Sequence, residues 1–82
     1  MLHLVLTSKW FEKVKSGEKR IEYRSMTPYW TKRILNVRHK YRHVVFHKGY
    51  TSTTLTFVIT KIDVGECPYD GWDGEYIRIN FK

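Results

Sequence analysis

Apolar and polar positions alternate at both ends of this chain, while its middle breaks into short apolar clusters separated by turn signals. Leu2, Leu4 and Leu6 alternate with His3 and Val5, and a period of two points every second side chain to one face. An opening strand with a leucine face in the core is therefore predicted. Thr7 or Ser8 can accept a hydrogen bond from the unpaired N–H groups of a following helix. In that helix Trp10, Phe11 and Val14 share a face, and Lys13 and Lys15 fall in the last turn, where the helix dipole favours cations. The spacing of Trp10 and Phe11 is that of a packing face, which assigns both to the core. Gly17 closes the helix, because glycine enters the left-handed conformation at low steric cost.

Ile21 and Tyr23 then alternate with Arg20, Glu22 and Arg24, as in a half-buried strand with its charge gathered on one face. Thr27-Pro28 marks a second helix start, since threonine caps and proline at the first position gives up no needed donor. This helix is predicted to run from Pro28 to Leu35, with Trp30 and Ile34 toward the core and Lys32 and Arg33 toward water or phosphate. Asn36 to His43 has few apolar residues and reads as an exposed basic loop. Val44, Val45 and Phe46 form a third strand that Gly49 ends in a hairpin turn. Thr53 to Ile62 alternates Leu55, Phe57 and Ile59 with threonines and is rich in β-branched residues, so a long strand is expected. Asp70-Gly71 and Asp73-Gly74 are turn signals, after which Ile77, Ile79 and Phe81 point inward against Tyr76, Arg78 and Asn80. The pattern as a whole predicts an α+β fold: a small, mostly antiparallel β-barrel with two short helices, forming one domain over residues 1–82.

Composition changes this picture in two respects. With 82 residues the chain is near the lower end of what buries a core unaided, and an aromatic fraction of 16% helps, because large rings fill a small core with few residues. The formal net charge of +7 is unevenly spread. No Asp or Glu occurs from Tyr23 to Ile62, whereas Arg24, Lys32, Arg33, Arg38, Lys40, Arg42, Lys48 and Lys61 all do. Asp63, Glu66, Asp70, Asp73 and Glu75 follow closely. A basic face attracts polyanions at long range, and nucleic acid is the commonest one in a cytoplasm. Cys67 is the single cysteine, which excludes an internal disulfide framework and a cysteine-based zinc site and leads to the expectation of a reducing, cytoplasmic setting. Leu2 to Leu6 is too short for a signal peptide or a membrane span.

Candidate chemistry centres on Gly17 to Arg24. A carboxylate, Glu22, between guanidinium groups and near Lys19 can hold a planar, hydrogen-bonding ligand or move a proton. Strict alternation would separate Lys19 from Glu22, so their meeting requires Lys19 to sit in the turn before the strand, or a bulge there. The histidines offer little for a metal: His43 and His47 share a side of one strand but lie roughly 13 Å apart at strand rise. No glycine-rich phosphate loop is present, no cofactor is called for, and Cys67 has no base nearby in sequence.

The run Gly17-Glu18-Lys19-Arg20-Ile21-Glu22-Tyr23-Arg24, with Trp10-Phe11 before it and Thr27-Pro28-Tyr29-Trp30 after it, resembles the signature of the ASCH domains, a branch of the PUA-like superfold. Gly17, Lys19, Glu22 and Arg24 fill a pattern of the form Gly-x-Lys-x-x-Glu-x-Arg, and the likeness extends to Phe46-His47-Lys48-Gly49-Tyr50. The resemblance implies a PUA-like barrel. It also implies one of two activities. Some members are amidohydrolases of N4-acetylated cytidine that use the motif lysine, a threonine three residues later and a glutamate further on. Lys19 matches the lysine, but Glu22 stands where the threonine hydroxyl is expected. Other members are RNA-binding modules or ribonucleases, for which the candidates are Lys19 with Tyr23 or Tyr41.

Three functional expectations follow. The first is an RNA-binding module whose pocket around Lys19, Glu22 and Arg24 receives a base or nucleotide, single-stranded rather than duplex. Arg20, Arg33, Arg38, Lys40, Arg42 and Lys48 would serve the phosphates, and Tyr41 would offer a stacking ring. The second is a small hydrolase of modified nucleosides or RNA with Lys19 and Glu22 as acid–base groups. The third is a protein-binding inhibitor from a virus or mobile element.

Overall fold

A computed structural model describes residues Met1–Lys82 and runs β1 (Leu2–Leu6), α1 (Ser8–Lys15), β2 (Ile21–Ser25), α2 (Pro28–Arg33), a 3₁₀ helix (Leu35–Lys40), β3 (His43–Lys48), β4 (Thr54–Glu66) and β5 (Glu75–Phe81). The five strands form one mixed sheet in the order β1-β3-β4-β5-β2, with β1 parallel to β3 and every other pair antiparallel. The sheet curls but does not close, so the expected barrel is a half-barrel with β1 and β2 as its free edges. Between those edges a single side-chain bond replaces a ladder: Arg24 Nη2 donates to the Val5 carbonyl at 3.0 Å.

The core lies on one face of this sheet. Leu2 and Leu4 of β1 stand beside Val44 and Phe46 of β3, which in turn face Phe57 and Leu55 of β4. Ile62 of β4 faces Ile79 of β5, and Val64 faces Ile77. Helix α1 adds Phe11 and Val14, and the residue after α2 adds Ile34, all buried in the same cluster. Burying each such large side chain is worth about 1.5–3 kcal/mol. Leu55, Phe57 and Ile59 do alternate as read, but Ile62 lies three residues beyond Ile59. A register shift between Ile59 and Lys61 absorbs the extra residue, so both halves of β4 present apolar side chains to the core.

Local signals were met unevenly. Gly17 takes φ +88° just past the end of α1, as its place after the last apolar residue of the helix demands. Thr27 caps α2 by accepting the Trp30 N–H at 3.2 Å. Thr7 occupies the N-cap position of α1, but its side chain makes no capping bond. The second helix ends at Arg33 rather than Leu35, and much of the segment read as a basic loop is 3₁₀ helix. That turn is held by side chains as well as backbone: Arg38 Nη1 donates to the Leu35 carbonyl at 2.7 Å and the Tyr41 hydroxyl to the Arg33 carbonyl at 2.9 Å. No helix is long and apolar enough to cross a membrane.

On the opposite face of the sheet Arg78 of β5 grips Asp63 of β4 with two bonds of 2.9 Å, from Nε and Nη2. A Cβ on Gly65 would come within 2.4 Å of the Arg78 guanidinium carbon, so the absence of a side chain there is what lets the guanidinium lie down. Arg78, with Lys61 in support, holds the Asp63 carboxyl below its usual value of 3.8. A depressed carboxyl stabilises the fold above its unfolded value, and that contribution is lost as the pH falls through the depressed one. Asp63→Asn should therefore melt at a lower temperature than the parent at neutral pH, with the difference closing as the pH is taken below about 4. A gap that stays constant down to acid would mean that the ion pair contributes nothing.

Candidate functional site

Strand β2 alternates as its sequence suggests, yet it is the charged face that joins the core side. Glu22 stands opposite Ile79 and Arg24 opposite Ile77, while Ile21 and Tyr23 share the other face with Asn80 and Arg78. Glu22 is only 5% exposed and Lys19 7%. A bare carboxylate at such a position would cost several kcal/mol, on the order of its lost hydration. Two cations meet it. Lys19 Nζ donates to Oε1, and Arg24 Nε donates to Oε2 at 3.1 Å, with Nη2 in ionic contact 2.9 Å from the same oxygen.

Lys19 reaches Glu22 because it lies in the turn before the strand, not within it. Its own N–H bonds the Lys13 carbonyl at 3.0 Å, which ties the turn back to the end of α1. Each cation also lies over an indole: Lys19 Nζ is 4.5 Å from the Trp10 ring centre, and the Arg24 guanidinium is 5.0 Å from that of Trp30. Such contacts hold cations where water is scarce.

Beside this cluster opens a cleft of about 290 Å³ between the edges of β1 and β2. Glu22 and Arg24 line it, and so do all three tryptophans of the chain, Trp10, Trp30 and Trp72. Its size is near the lower end of small-ligand sites, and its make-up, aromatic walls with a few polar groups, is typical of them. Lys19 lines a separate cleft of about 330 Å³ with Tyr23 and Tyr69. The ammonium thus backs Glu22 rather than facing the cavity beside it.

The loop between β4 and β5 supplies one wall. Tyr69 stacks 5.2 Å from Trp10 and 5.6 Å from Tyr23, and Trp72 lies 5.8 Å from Tyr69 and 5.5 Å from Tyr76. Burial pushes the Tyr69 hydroxyl above its usual 10.0, helped by the Cys67 thiol and the Glu22 carboxylate. Tyr23 is raised in the same way by burial, by Cys67 and by Tyr69.

The other site candidates scatter. Arg33 lies over the Tyr29 ring at 5.2 Å and lines a neighbouring groove that Arg24 shares. Arg38, Lys40 and Arg42 are exposed on and just after the 3₁₀ helix. Arg20 is turned away from Glu22: its Nη1 donates to the Val14 carbonyl at 3.1 Å and its guanidinium lies 5.4 Å from the Phe57 ring. Lys48 pairs with Glu12 at 3.1 Å, which neutralises it locally. Tyr41 is partly buried against the core, with its hydroxyl engaged. Phe11 is core at 1% exposure, and Trp10, partly buried, packs against the core and also walls the cleft.

Two features escaped the sequence. His47 hydrogen-bonds His3, Nε2 to Nδ1 at 2.9 Å, through a parallel pairing of strands 44 residues apart. Trp72 reaches the cleft, and Tyr69 its neighbour beside Lys19, through a loop whose signals were its Asp-Gly turns. Comparison with known family models, with curated proteins and with solved structures finds no match to this chain, so the geometry carries the functional reading.

Glu22→Gln should lower stability in urea by about 3 kcal/mol, because it leaves the buried Lys19 and the half-buried Arg24 without their anion. The double change Glu22→Gln with Lys19→Met should recover at least about 0.5 kcal/mol of the summed single losses. Strict additivity would show that Lys19 and Glu22 are not coupled. In an alkaline titration Tyr23 and Tyr69 should ionise above the ordinary tyrosine value of 10.0. Unfolded tyrosines then lose their protons first, so stability falls as the pH rises above 10.0, and Tyr69→Phe should make that fall shallower.

Proposed function

We propose that this protein binds single-stranded RNA, taking one base or nucleotide into the cleft between β1 and β2. The observation that carries the reading is a buried carboxylate clamped by two cations beside a cavity walled by three tryptophans. Indole faces suit the flat face of an unstacked base, and a carboxylate can accept from a base N–H. Glu22 retains acceptor capacity for this, since Oε1 receives only Lys19 while a carboxylate offers about four lone-pair sites. Duplex RNA keeps its bases stacked and has no such group to insert.

The surrounding charge supports a polyanion. Arg38, Lys40 and Arg42 are exposed and follow directly on α2, whose Trp30 walls the cleft. Membership in the ASCH branch of the PUA-like superfold belongs to the same proposal. It is supported by the placement of the motif residues: Gly17 closing α1, Lys19 in the turn, and Glu22 and Arg24 on the core side of β2.

Binding of a labelled single-stranded RNA should weaken steeply with salt and exceed that of a duplex of the same length. Replacing Arg38, Lys40 and Arg42 by Ser should reduce the salt slope by about 2, near 0.7 per lost phosphate contact. Trp72→Ala should weaken binding about tenfold or more without changing the slope. Affinity insensitive to salt, or equal for single strand and duplex, would overturn the proposal.

A further inference from the structure

A second cleft of about 430 Å³ adjoins the first. The two share Val5, Arg24 and Trp30, so a single partition, the guanidinium of Arg24 laid on the Trp30 indole, separates them. Their chemistry differs. The first contains the Glu22 carboxylate; the second has no acidic residue in its lining and adds His3, Arg33, Tyr29 and Tyr50. Tyr29 is 57% exposed and Tyr50 99%, which is far more than packing in the core requires.

Arg24 is built to serve both sides. Its Nε donates to Glu22 Oε2, which lies 2.9 Å from Nη2, and Nη2 donates to the Val5 carbonyl at 3.0 Å. Nη1 has no protein partner, and no buried side-chain nitrogen in the chain lacks one, so Nη1 opens to solvent. A guanidinium fixed on two edges and free on the third, at the boundary of two clefts, is a ready anchor for one phosphate between two bases.

We propose that the second cleft receives the neighbouring nucleotide of the same strand, its base against Tyr29 or Tyr50 and the linking phosphodiester on Arg24 Nη1, with Arg33 and His3 nearby. The smallest ligand that fills the site is then a dinucleotide. This rests on the nucleotide reading of the first cleft and adds a ligand length and three residues, His3, Tyr29 and Tyr50, to it.

The test is calorimetric titration of the whole protein with the four ribonucleoside 5′-monophosphates and the four matching ribo-homodinucleotides, beside a single-stranded RNA decamer. A monophosphate carries more negative charge than a dinucleotide with one phosphodiester, so electrostatics alone favours the monomer. At least one dinucleotide should nonetheless bind about tenfold tighter than its monophosphate, the gain expected from one added stacked base. In Tyr29→Ala/Tyr50→Ala the ratio of the two affinities should fall toward one, with the melting temperature unchanged because both side chains are exposed. Monophosphates that bind as tightly as every dinucleotide would overturn the second subsite and leave the first standing. A ratio unchanged in the double variant would overturn its location. A decamer that binds while neither short ligand does would overturn the two-nucleotide site, and failure of all three ligands would overturn the nucleotide reading itself.

Discussion

The negative charge of Glu22 is the constraint on which the rest of this molecule turns. On β1, β3, β4 and β5 the residues facing the core are apolar; on β2 the corresponding positions are Glu22 and Arg24. A carboxylate placed there must be matched by cations within hydrogen-bond reach, or it would be expelled to water. Meeting that requirement fixes Lys19 in its turn and Arg24 against Val5, and each cation comes to rest on an indole. The orientation of two of the three tryptophans thus follows from one buried charge.

The same constraint explains why the sheet stops short of closure. Closing it would require backbone ladder bonds between β1 and β2, but the Val5 carbonyl at the edge of β1 is already occupied by Arg24. Apolar residues at 22 and 24 would extend the core into this gap, and well-packed hydrophobic replacements of buried ion clusters are commonly neutral or stabilising. The charges therefore do not earn their place by stability. What they maintain is a lined opening with fixed charge and aromatic walls.

Much of the scaffold was legible because its signals are local. Leu2, Leu4 and Leu6, and likewise Ile77, Ile79 and Phe81, face the core as their period of two requires, and Thr27-Pro28 begins a helix for the reason its chemistry gives. The convergence of Lys19, Glu22 and Arg24 was also readable, since the three lie within six consecutive residues and glycine announces the turn. What could not be read depends on partners distant in sequence. Which face of β2 turns inward is decided by its pairing with β5, not by its own alternation. The slip in β4 that carries Ile62 to the core side is set by pairing with β5, and the His3–His47 bond by a parallel contact between β1 and β3. The packing of Tyr41 is a further case: its basic neighbours gave no sign that its ring would lie partly buried against the core.

The distribution of the acids gives the cleft a direction. Glu12, Glu18, Glu22 and Asp63 are each paired with a lysine or arginine and present little net field. Glu66, Asp70, Asp73 and Glu75 form no ion pair, and all lie at the end of β4, the start of β5 or the loop between them, which brings Trp72 to the cleft. The wall that holds Trp72 is therefore bordered by unpaired carboxylates, and the one that holds Trp30 of α2 by Arg24 and, in the adjoining cleft, Arg33. For a polyanionic strand with one base in the first cleft, continuing past the carboxylates is electrostatically uphill and continuing past Arg24 is downhill. The field thus favours the path along which the second cleft lies, an argument independent of the aromatic residues lining it.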